Sequence, residues 1–444
     1  MVGMLAYLQR DVVAKKILVV GAGMAGLCAA VTAAERGASV QVLEARAAPG
    51  GLTLCSDGLM GGVDPKRLRS FGLEDTPEQY AAITLSAGGR RGQVELVERL
   101  AYESSATINW LESVGVEFDN HLCMADRSFF PRLHLPKSRS PEGYVAPLYA
   151  EARRLGVSFA FNEPVLDVQL NGAGYLVRSG TPVRPRSWKA DCVIVAAGHF
   201  AGDRRKLFLE DPRLVKTRII PTPSSFPTGL RLLENLGAQS LHLSYAQKRI
   251  TAADGQDVPP FFLNPTNIIA VDEKGRRFLQ EDQRIINFVE ELLNRTNGRF
   301  FLIGTPNWMN SESLGDALPA DALAVRLGLP AGALRQTIDD FNAQLASGKA
   351  DPLGRRRETM PEALDPQRLI GIELAVETLT TLGGILITPD GEVLDRKGRV
   401  IPGVFAAGDS AGGVHGRNAV VGNTLLAAAL FGRRAAFKAS QRRF

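Results

Sequence analysis

The sequence predicts an α/β fold in which a domain built on a parallel sheet is split by an inserted α+β domain. One observation is a glycine-rich turn between a short apolar strand and a helical segment near the N-terminus. A second is a pair of later apolar strands that each lead into a glycine. The third is composition, because residues 213–365 are richer in Pro, Asn and Thr and lack a second glycine fingerprint. We therefore expect residues 1–212 and 366–444 to form one domain in two parts, with 213–365 inserted.

A βαβ unit opens the chain. Residues 17–20 are an apolar strand, residues 24–36 are a helical segment that ends before Gly37, and residues 39–43 are a second strand. This order of short strand, glycine turn, helix and strand is typical of a parallel sheet.

The turn of this unit has the spacing Gly-x-Gly-x-x-Gly, formed by Gly21, Gly23 and Gly26 with Ala25 inside it. The first glycine permits a tight turn, the second lets backbone approach a pyrophosphate, and the third lets the helix pack on the strand. Glu44 ends the second strand, where an acidic residue can accept hydrogen bonds from ribose hydroxyls. The pattern predicts a Rossmann-like site for a dinucleotide.

Two further motifs favour FAD over NAD as that dinucleotide. Gly50 and Gly51 follow Glu44 closely, and Gly408-Asp409 follows a strand near the C-terminus. Both resemble the additional motifs of FAD proteins in the glutathione-reductase-like superfamily, in which the late Gly-Asp approaches the ribityl chain and pyrophosphate. An NAD dehydrogenase has no use for either motif.

The remaining elements complete the cofactor domain. Residues 190–197 form a buried-strand pattern that leads into Gly198, and residues 403–407 form another that leads into Gly408. Ala197 and Gly198 are therefore predicted to contact the cofactor. An Ala/Leu-rich helix over residues 423–440 closes the domain.

Composition and charge exclude several classes of protein. Hydrophobic residues make up 45% and charged residues 22%, and the net charge is +5, with basic runs that are short and scattered. These values favour a soluble enzyme that acts on anionic small molecules, and they give no reason to expect nucleic-acid binding. The four cysteines have no Cys-x-x-Cys spacing, so neither a disulfide framework nor a metal site is expected. With no signal-peptide pattern and no apolar run of about 20 residues for a transmembrane segment, we expect a cytoplasmic protein.

Several longer stretches are together specific for one flavoprotein family. They are Trp-Leu-Glu-Ser-Val-Gly-Val-Glu-Phe at 110–118, the strand 193–198 with Phe200, Gly-Arg-Arg-Phe at 275–278 followed by Glu281, Thr-Leu-Gly-Gly at 381–384, and 401–416. Through them the chain resembles the fumarate reductase and succinate dehydrogenase flavoproteins, which include 3-ketosteroid dehydrogenases, urocanate reductase and L-aspartate oxidase.

The resemblance implies a fold and a reaction. In that family an FAD domain is split by a capping domain, and the substrate lies between the cap and the isoalloxazine ring. The implied reaction moves a hydride between flavin N5 and a carbon of an α,β carbon–carbon bond next to a carbonyl or carboxylate. A protein group exchanges the proton on the neighbouring carbon. The chain would be a dehydrogenase, a desaturase or an ene-reductase.

The resemblance also implies a proton-exchanging arginine. The nearest match is Arg284, one residue closer to Phe278 than in the family. A guanidinium is a poor acid, so Arg284 would need a relay such as Glu281 or Asp282. A surface or ion-paired arginine is the alternative.

Two carboxylate-binding positions of fumarate reductases are changed here. Thr380 stands where the family has histidine, and Ala419 stands where it has the arginine that clamps a substrate carboxylate. Arg417 and Arg249 are close enough in the pattern to form a rearranged anion site. Ordinary fumarate reduction is therefore not expected.

Other residues are assigned by the same resemblance. His415 is expected near the flavin ring as a catalytic residue together with Arg284 and Arg249. His134 is expected either at the substrate cleft or as a structural histidine. The predicted substrate-binding residues are His134, Thr381, Gly383 and Arg417.

The start of the last helix and the mode of FAD attachment complete the cofactor prediction. Asn423, Thr424 and Leu425 begin the helix, where backbone N–H groups can stabilise negative charge on the reduced flavin. No histidine lies between residues 51 and 58, so the FAD should be non-covalent, with Cys55 as the exception to test.

The electron partner and the competing functions stay open at this point. Without a second glycine fingerprint the chain is not expected to use NADH directly, which leaves a quinone, an electron-transfer protein or oxygen. Alternatives are an amine or amino-acid oxidase of the L-aspartate oxidase type and a flavoprotein subunit that only relays electrons. The substrate is expected to be a small carbonyl or carboxylate compound.

Overall fold

The computed structural model describes residues 14–69, 72–123, 131–181, 183–219, 228–253, 266, 268–283, 285–296, 299–306, 316–330, 332–360 and 362–441. Its strands are β1 Lys16–Val20, β2 Ser39–Leu43, β3 Met60–Gly61, β4 Leu133–His134, β5 Ser158–Ala160, β6 Val165–Asn171, β7 Gly174–Thr181, β8 Arg184–Ala190, β9 Cys192–Val195, β10 Arg218–Ile219, β11 Ser240–Leu241, β12 Ala246–Ala252, β13 Ile268–Val271, β14 Arg299–Gly304, β15 Ile370–Thr381, β16 Gly384–Ile385, β17 Glu392–Leu394 and β18 Val400–Ala406.

The helices lie between groups of these strands, and one follows the last strand. They are α1 Met24–Glu35, α2 Pro65–Arg69, α3 Pro77–Ala87, α4 Val94–Tyr102, α5 Ser104–Ser113, α6 Glu142–Arg154, α7 Arg204–Glu210, α8 Gly229–Asn235, α9 Ile285–Arg295, α10 Ala320–Leu327, α11 Ala333–Ala346 and α12 Asn423–Gln441.

The main sheet has six strands in the order β17-β18-β9-β1-β2-β5. Strands β18, β9, β1, β2 and β5 are mutually parallel, and β17 runs antiparallel at one edge. Strand β9 is buried at every position, as expected of a strand that is covered on both faces. The βαβ unit is confirmed, because β2 spans the predicted residues 39–43 and α1 ends one residue before the predicted end.

The chain divides into two compact units. The first consists of Met1–Lys206, Pro221–Gln247 and Thr380–Phe444, and the second of Leu207–Ile220 and Lys248–Leu379. The second unit is thus inserted between parts of the first, but residues 221–247 return to the first unit. The predicted limits of 213–365 differ from this division, and a capping role for that segment stays a prediction.

The second unit has its own sheet and two apolar cores. Strands β10, β15, β14 and β13 pair in that order, and β12 pairs with β15. Along β14 the side chains alternate, so that Phe300 and Leu302 pack with Phe288 of α9, whereas Phe301 and Ile303 pack against α10 and α11. This two-residue period places helices on both faces of the sheet.

Helix α12 closes the first unit as predicted, with one residue more at its end. It lies so close to α1 that a Cβ added at Gly432 would be 2.3 Å from the carbonyl oxygen of Ala25. Within the described ranges, no helix combines the length and apolarity that a membrane span requires.

Candidate functional site

Three loops follow neighbouring parallel strands and meet at the carboxyl edge of the main sheet. Strand β1 leads into Gly21, β9 into Ala197 and Gly198, and β18 into Gly408. The Ala197 N–H donates to Ser410 Oγ at 3.1 Å, and this hydroxyl donates to the Gly198 carbonyl at 3.1 Å. Ligands of parallel α/β sheets bind at this edge. The structure therefore brings the predicted cofactor residues of β1, β9 and β18 together.

The glycine-rich turn brings α1 close to β1. A Cβ at Gly26 would lie 1.9 Å from the Gly21 carbonyl oxygen, and Gly21 has a φ of +99°, so neither position accommodates a side chain. In the first turn of α1, the Met24 N–H donates to Thr53 Oγ1 at 2.9 Å. The N–H groups of Ala25 and Gly26 meet no acceptor in the described part of the chain. Free first-turn amides at the positive end of a helix suit phosphate oxygens.

Glu44 is held in place by backbone amides. Its Oε2 accepts the Ala22 N–H at 2.7 Å, its Oε1 accepts the Arg46 N–H at 2.8 Å, and the residue is buried. A carboxylate oxygen can accept more than one hydrogen bond. Both oxygens therefore keep capacity for a ribose hydroxyl, as the prediction requires.

The second glycine pair lies against the first turn. The Gly50 N–H donates to the Ala22 carbonyl at 2.8 Å, and a Cβ at Gly51 would lie 3.9 Å from the Cα of Gly23. Gly23 also caps α1 without a side-chain hydrogen bond. These glycines leave backbone, rather than side chains, around the start of α1. Cys55, at the end of this segment, is an exposed free thiol.

A narrow cleft lies at the same edge, in the first unit. Five of its lining residues were predicted from sequence, and they are Thr381, Gly408, Asp409, His415 and Thr424. Five others were missed, and they are Leu382, Ala411, Val414, Ala427 and Phe431. Helical spacing could have indicated two of these residues, because Ala427 and Phe431 follow Thr424 on one face of α12.

Asp409 and His415 are the ionisable groups of this cleft. Asp409 Oδ2 accepts a hydrogen bond from Thr380 Oγ1 at 2.6 Å. Burial lowers the pKa of His415 to about 4, and the charge of Asp409 opposes this only in part. His415 Nδ1 is buried without a partner among the described residues. His415 is therefore a neutral ring at pH 7 that can hydrogen-bond a ligand.

The start of α12 is anchored by α3. The fully buried Asn423 accepts a hydrogen bond from Tyr80 Oη at 2.6 Å and donates to Thr84 Oγ1 at 3.0 Å. Thr424 lines the cleft, and Leu425 is buried behind it. The Asn423 side chain thus positions the helix start, and the backbone there is left to face a ligand.

His134 has both ring nitrogens engaged. Its Nδ1 lies 3.2 Å from the Met60 carbonyl oxygen and its Nε2 lies 3.1 Å from Asp64 Oδ2, and the ring is buried. Burial raises the pKa of Asp64, but hydrogen bonds from His134 and Arg67 outweigh it and hold that pKa far below its usual range. These contacts favour the structural alternative for His134, and its predicted contact with substrate stays untested.

Arg417 and Gly383 lie beside one segment of the first unit. The Arg417 Nε donates to Tyr245 Oη at 3.5 Å, and a Cβ at Gly383 would be 2.1 Å from the His242 carbonyl oxygen. Arg417 is exposed, and its backbone N–H donates to the Gly88 carbonyl oxygen. Both residues stay predicted substrate contacts.

Of the other two predicted catalytic residues, Arg249 belongs to the second unit. Arg249 Nε donates to Glu377 Oε2 at 2.7 Å, so its charge is paired with a buried carboxylate. Arg284 lies outside the described residues.

The two acidic residues considered as relays for Arg284 are both ion-paired. Glu281 is fully buried and accepts from Arg277 at 2.6 Å and from Arg355 at 3.3 Å. Asp282 accepts from Arg356 at 2.8 Å. Burial raises the pKa of Asp282, but hydrogen bonds from Arg356 and Gln280 outweigh it and lower that pKa below its usual value. These contacts favour structural roles for both carboxylates.

His199 is a buried histidine that the sequence analysis missed. It follows Gly198 on the β9 loop, and burial lowers its pKa while the charge of Asp409 raises it. Its position directly after Gly198, a predicted cofactor residue, is the sequence feature that could have indicated it.

These features fit FAD. Free amides begin α1, Glu44 is oriented for a ribose, the glycines leave room for backbone contact, and His415 has an unpartnered buried nitrogen in the cleft. The diphosphate and the ribose each have matching polar groups at this sheet edge, and His415 offers a hydrogen-bonding nitrogen there.

Known proteins share this architecture. The chain is 29% identical to a fumarate reductase (cytochrome) of Shewanella frigidimarina, over 96% of the chain and 77% of the relative. It is 25% identical to a urocanate reductase of Eggerthella lenta, over 94% and 73%. It is 25% identical to a vinyl phenol reductase of Lactiplantibacillus plantarum, over 90% of each.

Solved structures match in fold. The open conformation of a flavocytochrome c3 fumarate reductase superposes with a TM-score of 0.83 at 24% identity, over 96% of this chain and 78% of that one. A 3-ketosteroid-Δ4-(5α)-dehydrogenase from Rhodococcus jostii superposes with a TM-score of 0.73 at 23% identity, over 96% and 97%. These matches confirm the predicted fold class.

The family model described as the FAD binding domain matches residues 16–425. The predicted family resemblance, cofactor and enzyme class are thereby confirmed. The chain belongs to this family and is an FAD-dependent reductase or dehydrogenase of carbon–carbon bonds.

Proposed function

We propose that the chain acts on an α,β carbon–carbon bond next to a carbonyl or carboxylate, in a substrate that is larger or less charged than fumarate. The observation that carries this proposal is that the side chains at positions 380 and 419 carry no charge. Thr380 donates to Asp409, and Ala419 is buried with its N–H bonded to Gln247 Oε1 at 3.0 Å. Neither offers a charged donor to a dicarboxylate, and charge-assisted hydrogen bonds are the strong ones for that purpose.

The cleft itself supports a substrate with an apolar body. FAD, when bound, supplies the exchange of a hydride with a substrate carbon. Leu382, Val414 and Phe431 present apolar surface in the cleft, and the neutral His415 adds a hydrogen-bonding ring without charge. The names of the relatives span a dicarboxylate, an imidazole acrylate and a vinyl phenol, so this fold accommodates substrates of differing charge.

The proton step is assigned to the protein. In this proposal Arg284 exchanges the proton on the carbon next to the one that exchanges hydride. Glu281 and Asp282 are held by Arg277, Arg355 and Arg356. A relay to Arg284 would therefore require one of these pairs to open or another group to act.

The electron partner is external. We expect a quinone, an electron-transfer protein or oxygen, because the sequence holds one glycine fingerprint, and that one is used for FAD. The cytoplasmic location stays a prediction as well.

The test is an anaerobic screen of the purified holoenzyme. Flavin absorbance is followed on addition of saturated and unsaturated mono- and dicarboxylates, cyclic enones and ketones, vinyl aromatics and amino acids. We expect bleaching by a saturated carbonyl compound, or reoxidation of the reduced enzyme by its unsaturated partner. Bleaching by amino acids, followed by peroxide production when oxygen is readmitted, would instead indicate an amine or amino-acid oxidase. No response to any substrate, with retained electron exchange with dyes, would indicate an electron-relay subunit.

A further inference from the structure

His199 has a buried hydrogen-bond donor that the first unit does not use. Its Nδ1 accepts the Ala201 N–H at 3.1 Å. A neutral imidazole carries one proton, so this contact places the proton on Nε2. His199 is only 4% exposed, and Nε2 meets no partner among the residues that the structure describes. A buried donor without an acceptor is costly, which indicates that a bound group supplies the acceptor.

The position of His199 indicates which group that is. Strand β9 lies between β1 and β18, and the three run parallel, so the loop with His199 lies between the glycine-rich turn and the Asp409 loop. The next residue, Phe200, donates its N–H to Thr381 Oγ1 at 3.4 Å, and Thr381 lines the cleft. A dinucleotide that begins at α1 and reaches this cleft passes the carboxyl end of β9.

We propose that His199 donates a hydrogen bond from Nε2 to an oxygen of bound FAD, in the part of the cofactor that follows its diphosphate. Because burial outweighs the charge of Asp409 and lowers the pKa of His199, the ring stays neutral and the bond adds no charge beside that carboxylate. The acceptor is a ribityl oxygen, since the ribityl chain follows the diphosphate and its hydroxyl oxygens present lone pairs along this path. His199 is then a cofactor-binding residue in addition to those of the sequence motifs.

Two substitutions separate the local role of His199 from its role toward FAD. In His199→Asn the side-chain oxygen can replace Nδ1 as acceptor for the Ala201 N–H, but no donor remains at the Nε2 position. In His199→Gln a donor can reach the Nε2 position, but the local acceptor is lost. Exposed His121, whose side chain is 81% accessible, provides the matched control as His121→Asn.

The experiment measures FAD release from each purified holoenzyme, followed by the recovery of flavin fluorescence on dilution, together with the thermal midpoint of each protein. We expect His199→Asn to weaken FAD binding about tenfold, and His199→Gln and His121→Asn to stay within about threefold of the wild type. The proposal is overturned if His199→Asn retains FAD as the wild type does, or if the Gln variant loses as much affinity as the Asn variant. It is also overturned if the Asn variant changes only the KM of a substrate, because the acceptor would then lie on the substrate.

Discussion

Thr380 donates a hydrogen bond from its hydroxyl to Asp409 Oδ2 at 2.6 Å, which joins the end of β15 to the loop after β18. The sequence analysis treated Thr380 only as the loss of a histidine. The structure gives it a function of its own, since it orients the carboxylate that faces the cleft.

Removing the Thr380 hydroxyl should loosen FAD. In Thr380→Val the Asp409 carboxylate loses a donor, and a hydrogen bond to a charged group contributes about 1.5–3 kcal/mol. We expect FAD affinity to fall roughly tenfold or more, as measured by equilibrium dialysis of the holoenzyme. Thr380→Ser keeps the hydroxyl and serves as the control. Equal affinity in the Val and Ser variants would show that Asp409 is oriented by other groups.

Glu44→Ala should weaken FAD binding and lower stability together. The substitution removes the ribose acceptor and leaves the N–H groups of Ala22 and Arg46 without their acceptor, at a cost of about 1–3 kcal/mol for a buried group. Glu44→Gln retains one acceptor oxygen, so its FAD affinity and its stability should lie between those of the wild type and Glu44→Ala. Thermal unfolding with and without added FAD separates the two effects. A colourless but normally stable Glu44→Ala protein would assign the residue to FAD alone.

FAD should be bound without a covalent link. Acid precipitation of the yellow protein should release all flavin as FAD into the supernatant, identified by chromatography against FMN. Cys55→Ser should release the same fraction, since Cys55 is the thiol nearest to the glycine pair in sequence. Flavin that stays with the pellet in the wild type and leaves it in Cys55→Ser would reveal a thioether.

Stability should fall on acidification because of His415. Its pKa is 6.5 in the unfolded chain and about 4 in the folded protein, so between these values the unfolded state binds the additional proton. The contribution of His415 to the free energy of unfolding is constant above pH 6.5. It diminishes as the pH falls towards 4, by about 3 kcal/mol in total. His199, whose pKa burial also lowers, adds to the same slope.

Urea unfolding of the holoprotein from pH 7 to pH 4 measures this slope. His415→Gln should flatten it, whatever its effect on stability at pH 7, and His121→Asn should not. An unchanged slope in His415→Gln would mean that His415 takes up its proton as readily in the folded state as in the unfolded chain.

Arg284→Ala should lower turnover far more than substrate binding. A group that exchanges a proton only in the transition state contributes about 10²–10⁴-fold to the rate, with little effect on Kd. Arg299→Ala is the comparison, since it removes an exposed charge that is paired with Glu373 and has no predicted catalytic role. Efficient fumarate reduction by the wild type, or full activity without Arg284, would contradict this part of the proposal.

Local sequence rules could predict which residues the structure brings together at this sheet edge, because each of them follows from the local pattern of strand, turn and helix. Gly26 must be small beside Gly21, and Glu44 ends a strand next to the turn. The burial of His199 near Asp409 and the hydrogen bond from Thr380 to the same residue could not be predicted in this way. Both depend on distant segments, and no spacing rule connects residue 199 or 380 with residue 409. Asp282 pairs with Arg356, and Glu281 pairs with Arg355 in addition to the nearby Arg277. The sequence pattern does not show the two partners that lie 74 positions away.

The hydrogen bond between Ala197 and Ser410 joins residues that are 213 positions apart, and β18 completes the sheet beside β9 only after the second unit has been synthesised. Pairing of this kind carries a high contact order and slows folding. During translation the glycine-rich turn emerges long before the residues around Asp409. The newly made chain therefore cannot assemble a complete FAD site until α12 has been synthesised, and cofactor capture should wait for the segments that follow the second unit.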